Sequence, residues 1–152
     1  MLVIIHHSAT DKNRTTLKSI NNHHKKRWGV ISDLGYYVGY HFVITGKGKI
    51  TQTRGFKERG IHTAGKNDYI GICITGNFEE QEPNKTQINS LYELLDKIKE
   101  MSSIEVKQHK DFSATLCPGK NLSDKIEIWV QLNKASSLLQ KIKEMIKKLL
   151  KK

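Results

Sequence analysis

His109 and Cys117 bracket the stretch HKDFSATLCPG, an imidazole eight residues before a thiol that sits on a Pro-Gly turn. A third group of the same kind, His6, closes the apolar run LVIIH, where the end of a strand lets a side chain project into a cleft. Two imidazoles and one thiolate make a three-ligand zinc site whose fourth position stays open to water, the arrangement of catalytic zinc. The same residues also suit a nucleophilic pair, with Cys117 attacking and His109 as its base. Spacing alone is not specific: two satisfied core imidazoles and a small buried thiol would leave the same trace.

The elements that must carry these groups follow from pattern. LVIIHH is β-branched and apolar, as a buried strand should be, and Asp11 and Asn13 form the loop after it. A helix is expected from Thr15 to about Arg27, with Leu17, Ile20 and His24 on one face and Trp28-Gly29 closing it. GYHFVITGKGKITQTR reads as a hairpin, with strands near residues 40–45 and 49–53 around a Gly-Lys-Gly turn. IGICITG is apolar enough for a central strand, and Ile88, Leu91, Leu94, Leu95 and Ile98 give the helical spacing of an amphipathic segment over residues 86–101. A short strand over 103–108 then delivers His109, and Ser123 is the expected N-cap of a helix carrying Ile126, Trp129 and Val130. Strands alternating with helices, plus one hairpin, imply an α/β fold: a central mixed β-sheet flanked by helices, with a surface cleft at the strand ends where zinc, if His6, His109 and Cys117 bind it, would sit.

Bulk properties bound the rest. A chain of 152 residues, 37% hydrophobic and 27% charged, is one ordinary globular domain with no apolar run near the ~20 residues that span a bilayer. Its start has neither a basic n-region nor an h-region, so residence in the cytoplasm of the producing cell, unless something else releases the protein, is the expectation. A net charge of +11 favours polyanions of every kind, and two cysteines exclude a disulfide scaffold. Composition shifts at about Asn133, which divides the chain into residues 1–132 and a basic amphipathic C-terminal helix over 133–152. That tail carries seven lysines against Glu144, with Leu138, Leu139, Ile142, Met145, Ile146, Leu149 and Leu150 on one face. It suits either an anionic membrane surface or packing on its own domain.

Taken together, IIHHSAT, GYHFVI, GIHTAG, IGICITGNF and HKDFSATLCPG resemble, in order and spacing, the zinc-dependent N-acetylmuramoyl-L-alanine amidases of the peptidoglycan recognition protein superfamily, phage endolysins included. The resemblance runs from Leu2 to Leu132. It implies His6, His109 and Cys117 as ligands of Zn2+, Tyr40 and Thr115 as catalytic hydroxyls that steady the oxyanion, and His62 as a substrate-binding cleft residue. Two departures stand out: Thr115 occupies a position that is lysine in some members, and Cys73 stands where others carry a glutamate base. The implied function is an endolysin, a peptidoglycan hydrolase that cuts the amide between N-acetylmuramic acid and L-alanine with zinc-activated water and lyses bacteria. The alternative is a non-catalytic peptidoglycan-binding module. Peptidoglycan is the implied partner, with an anionic membrane or outer-membrane surface as a second one for the tail; the protein is expected to be a monomer that does not bind nucleic acid. Trp28, Tyr36, Tyr37 and Arg54 suit either a sugar groove or simple packing, and His7 and His41 are expected to face away from the zinc.

Overall fold

In the computed structural model, which describes residues 1–150, every expected element forms. In chain order they are β1 (Leu2–His7), α1 (Leu17–Arg27), β2 (Phe42–Ile44), β3 (Ile50–Gln52), β4 (Ile70–Ile74), α2 (Lys85–Met101), β5 (Glu105–Gln108), one 3-10 turn (His109–Asp111) and α3 (Lys120–Leu149). The strands lie in the order β3-β2-β4-β1-β5, and only the β2–β3 hairpin is antiparallel. The sheet is therefore mixed and the IGICI strand central, as the apolar run requires.

Alternation along each strand divides the sheet into two faces. Val3, Ile5, Phe42, Ile44, Ile70, Ile72 and Ile74 point to one side and pack with Leu91, Leu95 and Ile98 of α2 and Leu122, Ile126 and Trp129 of α3. The other side carries Val43, which packs with Ile20 of α1 and Val38. His6 pairs in register with Cys73, and Cys73 with Val43, so this second face is where the β1 histidine emerges. Truncating a fully buried residue of the larger cluster, such as Leu95→Ala, should cost about 2–5 kcal/mol.

Local chemistry sets the helix starts. Thr16 caps α1 and exchanges bonds with Ser19, so the helix begins two residues later than Thr15. Asn84 and Gln87 form the same box on α2, and the Gln87 amide also donates to the Thr75 carbonyl at 2.8 Å, tying the helix to the end of β4. Helix α3 departs from expectation. Its cap is Gly119, with φ of 90°, and Ser123 lies a turn inside, buried, donating to Gln108 Oε1 at 2.6 Å and accepting from Lys110 Nζ. Those partners outbid the helix amides that an N-cap serine would have bound. The helix then runs unbroken through Asn133, and every residue from Lys134 to Leu150 is exposed. Lys151 and Lys152, two of the seven tail lysines, lie outside the described residues.

Candidate metal centre

Parallel pairing of β1 with β5 puts His6 and His109 side by side at the same end of the sheet. Their rings stand 4.6 Å apart, and the turn after His109 folds Cys117 back so that its Sγ lies 3.8 Å from His6 Nδ1. One ligand atom from each of His6, His109 and Cys117 falls within 4.8 Å of the others. A tetrahedral zinc with Zn–N near 2.0 Å and Zn–S near 2.3 Å needs ligand atoms roughly 3.3–3.6 Å apart. The three residues therefore fit a metal ion with a small inward adjustment, and they supply the nitrogen and sulfur donors that zinc prefers.

The tautomers are set from behind. The Tyr69 carbonyl can only accept, so it takes the Nε2 proton of His62 at 3.0 Å and leaves neutral His62 with a bare Nδ1. That nitrogen lies 3.1 Å from His6 Nε2, with the Thr63 hydroxyl bridging the two rings. His6 therefore keeps its proton on Nε2 and turns the lone pair of Nδ1 toward Cys117. Burial, opposed by the Tyr69 bond, holds His62 neutral with a pKa of about 4. The wedge is possible because Gly71 of β4 has no side chain: a Cβ there would lie 2.6 Å from the His62 ring. A glycine inside a central strand is the sequence signal for such a close approach.

Cys117 accepts the backbone N–H of His7 at 3.4 Å. Burial, against that bond, pushes its free thiol up to about 11. A nucleophilic cysteine needs the opposite shift, so the geometry disfavours the Cys117–His109 pair and favours a sulfur deprotonated by a bound cation. Thr115 Oγ1 accepts the Cys117 N–H at 3.2 Å, which leaves the hydroxyl proton of Thr115 free to point elsewhere.

Tyr40 packs on His6 with ring centres 5.2 Å apart. Burial, reinforced by the neighbouring Cys73 and Cys117 thiols, raises its pKa well above the usual phenol range, so the hydroxyl is a donor at neutral pH. Cys73 is fully buried beside it, and burial lifts that thiol far beyond any useful base. Cys73 is thus a packing residue of β4.

His24 does more than the run HHKKR suggests. It is buried, and its Nδ1 accepts the Gly39 N–H at 3.0 Å, which fixes the segment leading into Tyr40. Burial holds it neutral with a pKa of about 4. His7 turns to the helix-covered face and accepts the Phe78 N–H at 3.1 Å. His41 spans Gly71 N–H and the Glu58 carbonyl, away from the ligand trio. Arg54 is a buried clamp on the Val38 and Val30 carbonyls and Glu58, so packing is its role. Beside Tyr40 opens a groove of about 500 Å3, lined by Ser8, Thr10, Arg14, Thr15 and His23 among others.

The family model described as N-acetylmuramoyl-L-alanine amidase matches residues 1–120. The chain is 37% identical over 97 residues to peptidoglycan-recognition protein SD of Drosophila simulans, a match that spans 60% of this chain and about half, 52%, of that relative. Among solved structures, the N-acetylmuramoyl-L-alanine amidase LysC of Clostridium intestinale superposes with a TM-score of 0.74 at 33% identity, covering 87% of this chain and 84% of that one. Peptidoglycan recognition protein LE, solved in complex with tracheal cytotoxin, a monomeric diaminopimelic acid-type peptidoglycan, superposes with a TM-score of 0.72 at 26% identity over 84% of this chain and 79% of its own.

Proposed function

The chain belongs to the N-acetylmuramoyl-L-alanine amidase family, and from that premise we propose that it is a zinc hydrolase cutting the amide between N-acetylmuramic acid and L-alanine in peptidoglycan. The observation that carries this reading is the convergence of His6 Nδ1, His109 and Cys117 Sγ within 4.8 Å, beside a protonated Tyr40.

His6, His109 and Cys117 would hold the zinc, which when bound would supply a Lewis acid for the amide carbonyl and for water at near-neutral pH. The remaining work falls to the chain. His62 and Thr63 hold the His6 ring in the tautomer that presents Nδ1. Tyr40 donates its phenolic proton toward the charge that develops on the amide oxygen, and Thr115, whose oxygen is already engaged by the Cys117 N–H, offers its hydroxyl proton to the same end. The groove beside Tyr40, rich in hydroxyls and crossed by Arg14, gives the glycan and stem peptide their polar contacts. A lytic role is part of the same proposal, supported by the likeness to the endolysin amidase LysCS of Clostridium intestinale.

The test is product analysis of purified peptidoglycan after incubation with the protein. New amino-terminal L-alanine with no new reducing ends is the expected result. Cleavage elsewhere in the polymer would refute the amidase reading, and tight binding without any cleavage would make the protein a recognition module.

A further inference from the structure

Helix α3 changes its apolar side partway along. At about 100° per residue, the residues it buries in the domain, Leu122, Ile126 and Trp129, cluster on one side of the axis. The exposed stripe formed by Ile128, Leu132, Leu138, Ile142, Met145 and Leu149 is centred roughly 170° away. The stripe therefore does not continue the core contact: it starts on the solvent side of the docked half and extends about 33 Å to Leu150. Leu138 borders a groove against residues 103–107, but it and Leu149 are 59% and 65% exposed, so most of the stripe faces solvent.

We propose that this face of α3, residues 128–150, docks on an anionic phospholipid bilayer, lying in the interface with its leucines at the acyl boundary and its lysines among the headgroups. Two features select this occupant. From Lys134 onward the sequence holds seven lysines against one acid, Glu144, a surplus of six positive charges. Pairing with a second copy would bring two such surpluses together, whereas an anionic headgroup layer neutralises them. A polyanion without acyl chains would satisfy the lysines and leave the stripe in water; a bilayer accepts both. The helix lies on the membrane and does not cross it, because among the described residues no helix is long and apolar enough to span. The proposal stands independently of the hydrolytic reading, since none of these residues touches the metal centre.

Vesicle flotation of the full chain tests it. Vesicles of mixed phosphatidylglycerol and phosphatidylcholine should float the protein with at least roughly tenfold higher partitioning than phosphatidylcholine alone, and added salt should erode the difference. The double variant Ile142→Glu, Met145→Glu should lose about tenfold or more in partitioning while its circular dichroism stays unchanged. Equal binding to both lipid mixtures, no binding to either, or undiminished binding by the variant would overturn the proposal. So would sedimentation equilibrium showing a dimer that the same variant dissolves. Hydrolysis is not read out, so the fate of the amidase reading leaves this result untouched.

Discussion

His6 and His7 are adjacent on one strand, yet they live in different chemistries. His6 emerges on the face covered by α1 and the Tyr40 segment, where its two nitrogens are divided between a metal site and an orienting partner. His7 emerges on the face covered by α2 and α3, where its ring accepts the amide of Phe78. A one-residue step along a strand exchanges the two faces, so the same side chain becomes a ligand or a bolt according to parity alone. Burial lowers the pKa of both rings; the difference is that the functional face aims its groups at one point, whereas the helix face uses His7 to satisfy a buried amide.

The largest effect that sharpens this contrast is loss of a ligand. His6→Ala, His109→Ala or Cys117→Ala should each lower the hydrolysis rate by more than about 10³-fold, measured on purified peptidoglycan. His7→Ala should leave the rate within a few-fold and cost about 1–3 kcal/mol in urea unfolding, because it orphans a buried N–H. Equal catalytic losses for His6 and His7 would break the comparison.

A second effect is on stability against pH. His24 is 7% exposed and keeps its proton off down to about pH 4 in the fold, whereas in the unfolded chain it protonates near 6.5. The unfolded state therefore binds more protons in that window. This contribution is complete above about pH 6.5 and falls by up to about 3 kcal/mol as the pH drops towards 4. Chemical denaturation of His24→Asn across this range should give a flatter profile than the parent, and identical slopes would remove His24 from the account.

Tyr40→Phe is the next in size: roughly a 10²-fold fall in kcat with zinc content unchanged, the loss of one oxyanion donor. His62→Ala is smaller and more discriminating. If the ring acts by orienting His6, metal affinity should fall about 10–100-fold in competition with a chelator. An unchanged affinity with a raised KM would instead make His62 a substrate contact.

Much of this was visible in the sequence, and what was hidden was hidden for physical reasons. The β4 run IGICI was apolar enough to be central, but spacing alone did not single out His6, His109 and Cys117; the linked motifs that resemble the amidase family did, and Tyr40 came from that resemblance alone. His24 was legible as part of the α1 face that carries Leu17 and Ile20, but its partner was not, because only the fold brings the Gly39 amide to it. Gly71 was overlooked because a single glycine in a strand names no partner, although the space it leaves is what His62 fills. Ser123 misled because a serine ahead of an apolar run resembles a cap, while its partners, Gln108 and Lys110, are distant neighbours that no local pattern reports.

The central claim is that one metal on His6, His109 and Cys117 makes this face hydrolytic. Its most direct test is peptidoglycan hydrolysis by the protein before chelation, after it and after zinc is restored, run in parallel with Cys117→Ser. The account predicts activity that disappears with the metal, returns on addition of one equivalent of zinc, and does not return in the variant. Full activity in chelated protein, or equal restoration in Cys117→Ser, would contradict it.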